Sequence, residues 1–310
     1  MDVLSQLLAL IPVSGRLEVR CHFGSPWRLD PPAAGHLEIP YHVLLSGEAT
    51  VEGGNAPAAV LRVGDVVLFP GGAAHTLHDG SGLAALPARE QASTMLTVAS
   101  NDSAGPASDV LCGRFVFSMF SERLVRGFLP QRLIVSSTTG PAEGASRLAR
   151  LIALMREEAQ EEGPGSATLV GHLSAALFAL TLRHAAEAAI APPSLLALAR
   201  WPRLQPAVLA MFDAPERPWT LPRLAALCHL SRATLVRQFE QATGRAPGDL
   251  LTEIRMAHAM QRLGRGEPSV AVIGEAVGYQ SEAAFQRAFK RHLGITPARY
   301  RATLLRGSAG

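Results

Sequence analysis

Between Arg16 and about Val135 the apolar positions come in short runs, either alternating with polar residues or fully apolar, and broken by Gly and Pro. The clearest are Val60 to Phe69, Thr94 to Ala99 and Val110 to Phe117; this period predicts a β-rich domain of antiparallel strands. Pro87 to Pro106, where Ala, Ser, Asn, Asp and Gly surround one apolar stretch, reads as an extended loop. From Ala145 the period lengthens. Leu148, Leu151, Ile152, Met155 and Ala159 recur at three and four, predicting an amphipathic helix up to Gly163-Pro164-Gly165. A second helix is expected from Thr168 to about Ala189, with Leu169, His172, Leu173, Ala176, Leu177, Leu180 and Leu182 on a broad apolar face. Two such helices either fold back on the β domain or pair with those of another subunit, and dimerisation is the favoured expectation. Pro192-Pro193 then begins a linker to Pro202.

Beyond Pro202 the chain repeats itself. A shift of 50 residues lays Ala226 on Ala276, Leu227 on Val277, Ser231 on Ser281, Leu235 on Phe285, Arg237 on Arg287, Phe239 on Phe289, Gly244 on Gly294 and Pro247 on Pro297. In each copy a short helix (Leu221 to Cys228; Val270 to Val277) leads through a tight turn to a Ser suited to cap the next helix. That helix (Arg232 to Thr243; Glu282 to Leu293) turns two large apolar residues inward at i and i+4 and ends on Gly. The plan is a helix-turn-helix, twice, with Pro247 to Leu263 as one long helix binding the copies together, so that two helices can enter successive major grooves.

Charge changes the picture by dividing it. The 310 residues carry a formal +3, but residues 1–200 hold 14 basic and 18 acidic side chains, a balance of −4, whereas 201–310 hold 15 and 8, a balance of +7. A basic module joined to a mildly acidic one suits a nucleic-acid binder with a separate sensing domain, since phosphate attraction is needed on one part only. Hydrophobic residues at 48 % exclude a disordered chain, and three widely spaced cysteines suit a reducing cytoplasm better than a disulfide-stapled secreted fold. No run of about 18 uninterrupted apolar residues predicts a membrane span, and no cofactor is expected.

Residues of about 203–303 resemble the DNA-binding domain of the AraC/XylS family, through Ile273-Gly274-Glu275-Ala276-Val277-Gly278-Tyr279-Gln280-Ser281 and the ending Gly294-Ile295-Thr296-Pro297-Ala298-Arg299-Tyr300-Arg301. The resemblance implies base contacts from the exposed starts of both second helices. Those positions hold Arg232, Ala233, Thr234, Val236 and Arg237 in the first copy, and Glu282, Ala283, Gln286 and Arg287 in the second. Arg237 and Arg287 suit guanine and Gln286 suits adenine, while Lys290, Arg291, Arg299 and Arg301 suit phosphates.

Upstream, Gly64 to His75 carries a Gly, five residues, Pro, one residue, Gly, two residues, His pattern, the second cupin motif, whose Pro-Gly-Gly hairpin turns His75 into a small barrel. The first motif is poor: only His42 and Glu48 stand where an enzymatic cupin would place its upstream ligands. His42 and His75, with Cys21, are therefore weak candidates for a metal, which needs three or four converging ligands, and His22, His36 and His78 lie nearby in sequence. The whole chain, with Gly24-Ser25-Pro26-Trp27 and Leu111-Cys112-Gly113-Arg114-Phe115, resembles the cupin-bearing AraC-type activators that respond to reactive chlorine species. That resemblance implies Cys21 as a redox sensor and Cys112 as its resolving partner, with Arg20 and His22 beside Cys21 suited to lowering its pKa. Cys228, inside a helix-turn-helix, is expected in the core.

The resulting expectation is an α+β protein. A cupin-like β-barrel sensor occupies 1–142, two dimerisation helices 143–190, a linker 191–202, and an all-α tandem helix-turn-helix domain 203–310. It would be a non-enzymatic, cytoplasmic, homodimeric regulator working with promoter DNA and RNA polymerase, away from membranes. Its rivals are a regulator with a small organic ligand or a metal in its barrel, and a metal-dependent cupin enzyme.

Overall fold

A computed structural model describes residues 2–93, 96–117, 122–137, 142–161, 163–187, 193–266 and 269–307. The chain forms two compact units: Pro12–Pro192 is one, and Met1–Ile11 joined to Pro193–Gly310 is the other.

After α1 (Val3–Leu10), the first unit runs β1 (Val13–Gly24), β2 (Arg28–Leu29), β3 (Glu38–Ser46), β4 (Ala49–Gly53), β5 (Ala56–Leu61), β6 (Asp65–Leu68), β7 (His75–His78), β8 (Arg89–Ala92), β9 (Thr97–Ser100), β10 (Ala107–Phe117), α2 (Glu122–Phe128), β11 (Leu133–Ser136), α3 (Ala142–Glu161) and α4 (Ser166–Glu187). The strands form a seven-stranded sheet, β11-β6-β3-β10-β1-β9-β8, and a four-stranded one, β2-β7-β4-β5. Between them lies an apolar interior of Phe23, Trp27, Leu44, Val51, Val67, Phe69 and Leu77, which also takes in Cys21 and, at its margin, Cys112. This is the expected cupin-like barrel. The region expected as a loop, Pro87 to Pro106, is partly strand: β8 pairs with β9, and β9 runs parallel to β1 at the edge of the larger sheet.

The outer face of that sheet is closed by α4. Tyr41 stacks on Phe115 with ring centroids 4.3 Å apart, Phe115 meets Phe178 of α4 at 5.1 Å, and Tyr41 Oη lies 3.2 Å from Ser174 Oγ. Close approach is possible because β1 has Gly15 at the crossing, where an added Cβ would fall 2.2 Å from Ser174 Cβ. Leu177, Phe178 and Leu182 are buried there, each worth roughly 1.5–3 kcal/mol. Among the described residues, α4 is the one helix long and apolar enough by length and composition to cross a membrane, but half of its apolar window is buried. It is a core helix, with α3 packed against it. Both helices thus fold back on their own barrel, leaving Leu154 and Leu169 exposed.

The second unit is all helical: a 3-10 turn (Leu195–Arg200), α5 (Gln205–Asp213), α6 (Leu221–Leu227), α7 (Arg232–Thr243), α8 (Pro247–Gly264), α9 (Val270–Ala276), α10 (Glu282–Leu293) and α11 (Pro297–Gly307). Two boundaries differ from those expected. Residues 1–11, assigned to the sensor, belong here: Leu7 and Ile11 are 1 % exposed, and Gln6 hydrogen-bonds Asp213 of α5. The second half of the expected linker is also structure, since Leu195 to Leu198 are buried. Apolar residues that look like a spacer along the chain are core once the helices surround them. Regrouped this way the charges are 16 basic and 9 acidic, +7, against 13 and 17, −4.

Candidate functional site

The two copies of the helix-turn-helix are built by local rules. Ser231 Oγ accepts from Thr234 N at 3.1 Å and Ser281 Oγ from Ala284 N at 3.2 Å, so both second helices begin on a side-chain cap. Both end on a Gly at φ 76°, Gly244 and Gly294. Leu235 and Phe239 are buried beneath α7, and Phe285 and Phe289 beneath α10.

One equivalence needs correction. The caps of the first helices, Thr220 and Ser269, are 49 residues apart, as are the helix starts Leu221 and Val270, while the second helices are 50 apart. Burial agrees, pairing Leu224 with Ile273 and Cys228 with Val277; Leu227, expected to match Val277, is exposed. The second turn has one more residue. Both turns pass through a left-handed residue, His229 at φ 52° and Gly278 at φ 90°, and at Gly278 a Cβ would sit 2.7 Å from Glu216 O.

The expected base-contacting residues share the outer faces of α7 and α10. Arg232, Ala233, Arg237, Glu282, Ala283, Gln286, Arg287 and Lys290 are exposed, while Thr234 and Val236 are half-buried. Two of them have partners within their own helix. Thr234 Oγ1 lies 2.9 Å from Ser231 Oγ, and Gln286 Nε2 donates to Glu282 Oε1 at 2.8 Å. Beneath them α8 ties the motifs together through residues the repeat did not reveal. Arg255 donates to the carbonyls of Pro215 and Arg217 and lies 5.7 Å from the Tyr279 ring, and Glu253 meets His292 of α10 at 3.0 Å. Cys228 is in the core as expected, and burial raises its thiol pKa.

The barrel interior holds the second constellation. Strand register places His42 of β3 opposite Cys112 of β10, and Cys112 two positions from Cys21 of β1. His42 Nδ1 lies 3.0 Å from Cys112 Sγ, and His42 Nε2 lies 2.7 Å from His75 Nε2. His75 Nδ1 lies 2.9 Å from Ala73 O, and Cys21 is near enough to the Cys112 thiol to act on its pKa. The network assigns the tautomers. Ala73 O only accepts, so His75 carries its proton on Nδ1 and offers a bare Nε2; His42 then donates from Nε2, and its bare Nδ1 accepts from the Cys112 S–H. Both rings are neutral, because burial pulls His42 down to about 3, helped by His75, and lowers His75 as well. Hydrogen bonding to Cys21, then burial, pushes the Cys112 thiol well up.

This arrangement revises three expectations. Arg20 and His22 do not activate Cys21: alternation along β1 turns them to the other face, where Arg20 grips Asp109 and His22 is exposed. A metal at His42 and His75 is not supported. The two nitrogens of His42 point to different partners, and among the described residues no three His, Cys, Asp or Glu converge to hold an ion. The other candidates also lie apart: Glu48 and His36 are exposed, and His78 faces Glu52 at 3.6 Å.

Comparison with known proteins agrees with both halves. The cupin family profile matches residues 2–187, and a helix-turn-helix domain profile matches 224–303. The RCS-specific HTH-type transcriptional activator RclR of Escherichia coli is 32 % identical over 302 residues, covering 97 % of each chain. The HTH-type transcriptional regulator MtrA of Neisseria gonorrhoeae is 28 % identical over 97 % of this chain and 98 % of its own. Among solved structures, an AraC-type DNA-binding domain from Chromobacterium violaceum is 32 % identical, with TM-score 0.32, over 34 % of this chain and 94 % of that one. The DNA-binding domain of AdpA, solved with a target DNA, is 32 % identical, with TM-score 0.31, over 33 % and 91 %. The chain belongs to the cupin-bearing AraC family of helix-turn-helix transcriptional regulators, and it is a DNA-binding regulator and not an enzyme.

Proposed function

We propose that this regulator senses oxidants through Cys21 and Cys112 and answers at promoter DNA, as an activator, through α7 and α10. The observation that carries the reading is the pair of thiols brought together on adjacent strands, with an imidazole nitrogen 3.0 Å from one of them. Hypochlorous acid and two thiols give a disulfide, water, chloride and a proton. One full-length relative is described as RCS-specific, in line with that chemistry. Cys21 and Cys112 are diagonal neighbours, a position with Cα atoms roughly 7–8 Å apart, and a disulfide wants about 4.4–6.8 Å. Closing the bond therefore draws β1 towards β10. Because β1 follows directly on α1, which belongs to the DNA-binding unit, that movement has a covalent route to the reading helices.

On DNA, Arg237 and Arg287 address guanine, Gln286 adenine and Glu282 cytosine, Ala233 and Ala283 meet thymine methyls, and Arg232, Thr234 and Lys290 hold or orient on the backbone. Recruitment of RNA polymerase, a cytoplasmic location beside the chromosome, and a homodimer joined through the exposed Leu154 and Leu169 complete the reading. A second reading, a small organic inducer, is favoured by a cavity of about 270 Å³ between α3 and the larger sheet, lined by Leu44, Val63, Ile152 and Ala153 with Arg156 at its edge. Mass spectrometry of purified protein treated with hypochlorite should find Cys21 joined to Cys112, and Cys21→Ala should abolish oxidant-induced transcription. Unchanged induction in Cys21→Ala overturns the redox reading.

A further inference from the structure

We propose that the cavity between α3 and the larger sheet binds a small monocarboxylate, an apolar body of about one ring and a short chain with a single anionic head, held by Arg156 and Ser137. This rests on the second reading above, in which an organic molecule occupies the cavity, and gives that molecule a chemical class.

Local irregularities open the space. In the pairing of β3 with β10, Leu44 lies opposite Val110 and Ser46 opposite Asp109, so Leu45 is one residue more than its partner strand supplies. Such a bulge bends a strand and re-aims a side chain. The neighbouring wall is the turn into β6, where Gly64 takes a left-handed φ of 86°. The side of α3 that faces them carries Ala149, Ile152, Ala153 and Arg156, spaced i, i+3, i+4 and i+7 on one helix face. Alanine on either side of Ile152 leaves unfilled what larger side chains would occupy, and Val63 at the rim stays 49 % exposed.

The walls offer few polar groups. Gly64 N–H donates to Leu44 O at 2.8 Å and Ser137 N–H to Gly64 O at 3.0 Å, so these backbone groups are already paired. Two side chains remain. Ser137 is only 5 % exposed, and its hydroxyl has no hydrogen bond with a described residue. A buried hydroxyl left unmatched is costly, and a ligand atom would satisfy it. Arg156 is exposed at the mouth and has no hydrogen bond or ion pair with a described residue. Among the described residues no acidic side chain lines the cavity.

Size and charge together set the class. A void of about 150 Å³ holds benzene, so 270 Å³ holds a ring with a short chain. A guanidinium matches a carboxylate through two parallel hydrogen bonds. A second anionic group would lie against Leu45, Val63 and Ile152 with nothing to pair it, which disfavours dicarboxylates and phosphates.

The test is a titration of the methyl-labelled full chain with phenylbutyrate and with its neutral amide, followed by ¹H–¹³C NMR at neutral pH and low salt. The acid should shift the methyl signals of Val63 and Ile152 and bind at least about tenfold more tightly than the amide. Arg156→Gln should bring the acid down to the affinity of the amide and leave the amide unchanged. Because Arg156 is exposed and unpaired with any described residue, the substitution leaves the fold intact. If neither compound moves these signals at millimolar concentration, the cavity admits no such molecule, and the second reading falls with the proposal. If both bind there and the acid has no advantage, or Arg156→Gln holds the acid as tightly as the native chain does, the second reading stands and the anionic class fails.

Discussion

An imidazole kept neutral inside an apolar barrel makes stability depend on pH. Above the ordinary histidine value of 6.5 the ring is neutral in both states, and His42 adds no pH dependence. Below it the unfolded chain takes up a proton that the folded chain refuses until about pH 3, so stability falls as pH falls through this window, by up to about 1.4 kcal/mol per unit. Urea midpoints between about pH 7 and 5 should therefore drop for the native sensor unit and flatten in His42→Gln. On the DNA side, Arg287 is exposed and has no hydrogen bond or ion pair with a described residue. Arg287→Ala should cost roughly 1–3 kcal/mol of operator binding and relax preference at one base pair, seen by titrating operator variants; an equal loss on every DNA would make it a phosphate contact. The sequence marks His42 and His75 as chemically notable but offers them only as candidates for a metal, because their partner, Cys112, lies 70 residues from His42 and is reached only through the register of β3 with β10. Adjacency misleads at Cys21, where the flanking Arg20 and His22 occupy the opposite face of the strand.

Elements whose signals are local are legible to the residue. The second helices begin at Arg232 and Glu282 and end at Thr243 and Leu293, as their Ser caps and Gly stops predict. Ser281→Ala should cost about 0.5–2 kcal/mol of stability in the helical unit, measurable by denaturant unfolding, with no change in slope. Elements fixed by distant contacts are not legible. The strand β8, wholly exposed, has no apolar alternation to show, and α1 looks like the start of the sensor because only the fold reveals that its Leu7 is buried in the other unit. The one-residue offset in the first helices is likewise hidden, since a single shift scores both copies well and only burial separates Leu227 from Cys228. Where β1 meets α4, Gly15→Val should force the helix off the sheet and destabilise the sensor unit by about 1–3 kcal/mol or more in the same assay, whereas Leu154→Ala, on the exposed side, should be near neutral.

At the scale of the molecule, the division of charge seen in the sequence survives the redrawn boundaries, with the helical unit at +7 and the barrel unit at −4. What changes is connectivity: the chain passes between the units twice, at Ile11–Pro12 and at Pro192–Pro193. Leu7→Ala should accordingly destabilise the helical unit, by roughly 2–5 kcal/mol, and leave the unfolding of the barrel unit unchanged, as separate melting transitions would report. The same strand that carries Cys21 leads back to that helix, with Val13 to Arg20 of β1 and the pair Ile11–Pro12 between Cys21 and the end of α1. Genome-wide mapping of the DNA bound by the native chain and by Cys112→Ala, each with and without hypochlorite, tests the account most directly. The account predicts discrete promoter sites for both chains, with hypochlorite changing occupancy in the native chain only. The absence of discrete sites, or the same oxidant response in Cys112→Ala, would contradict it.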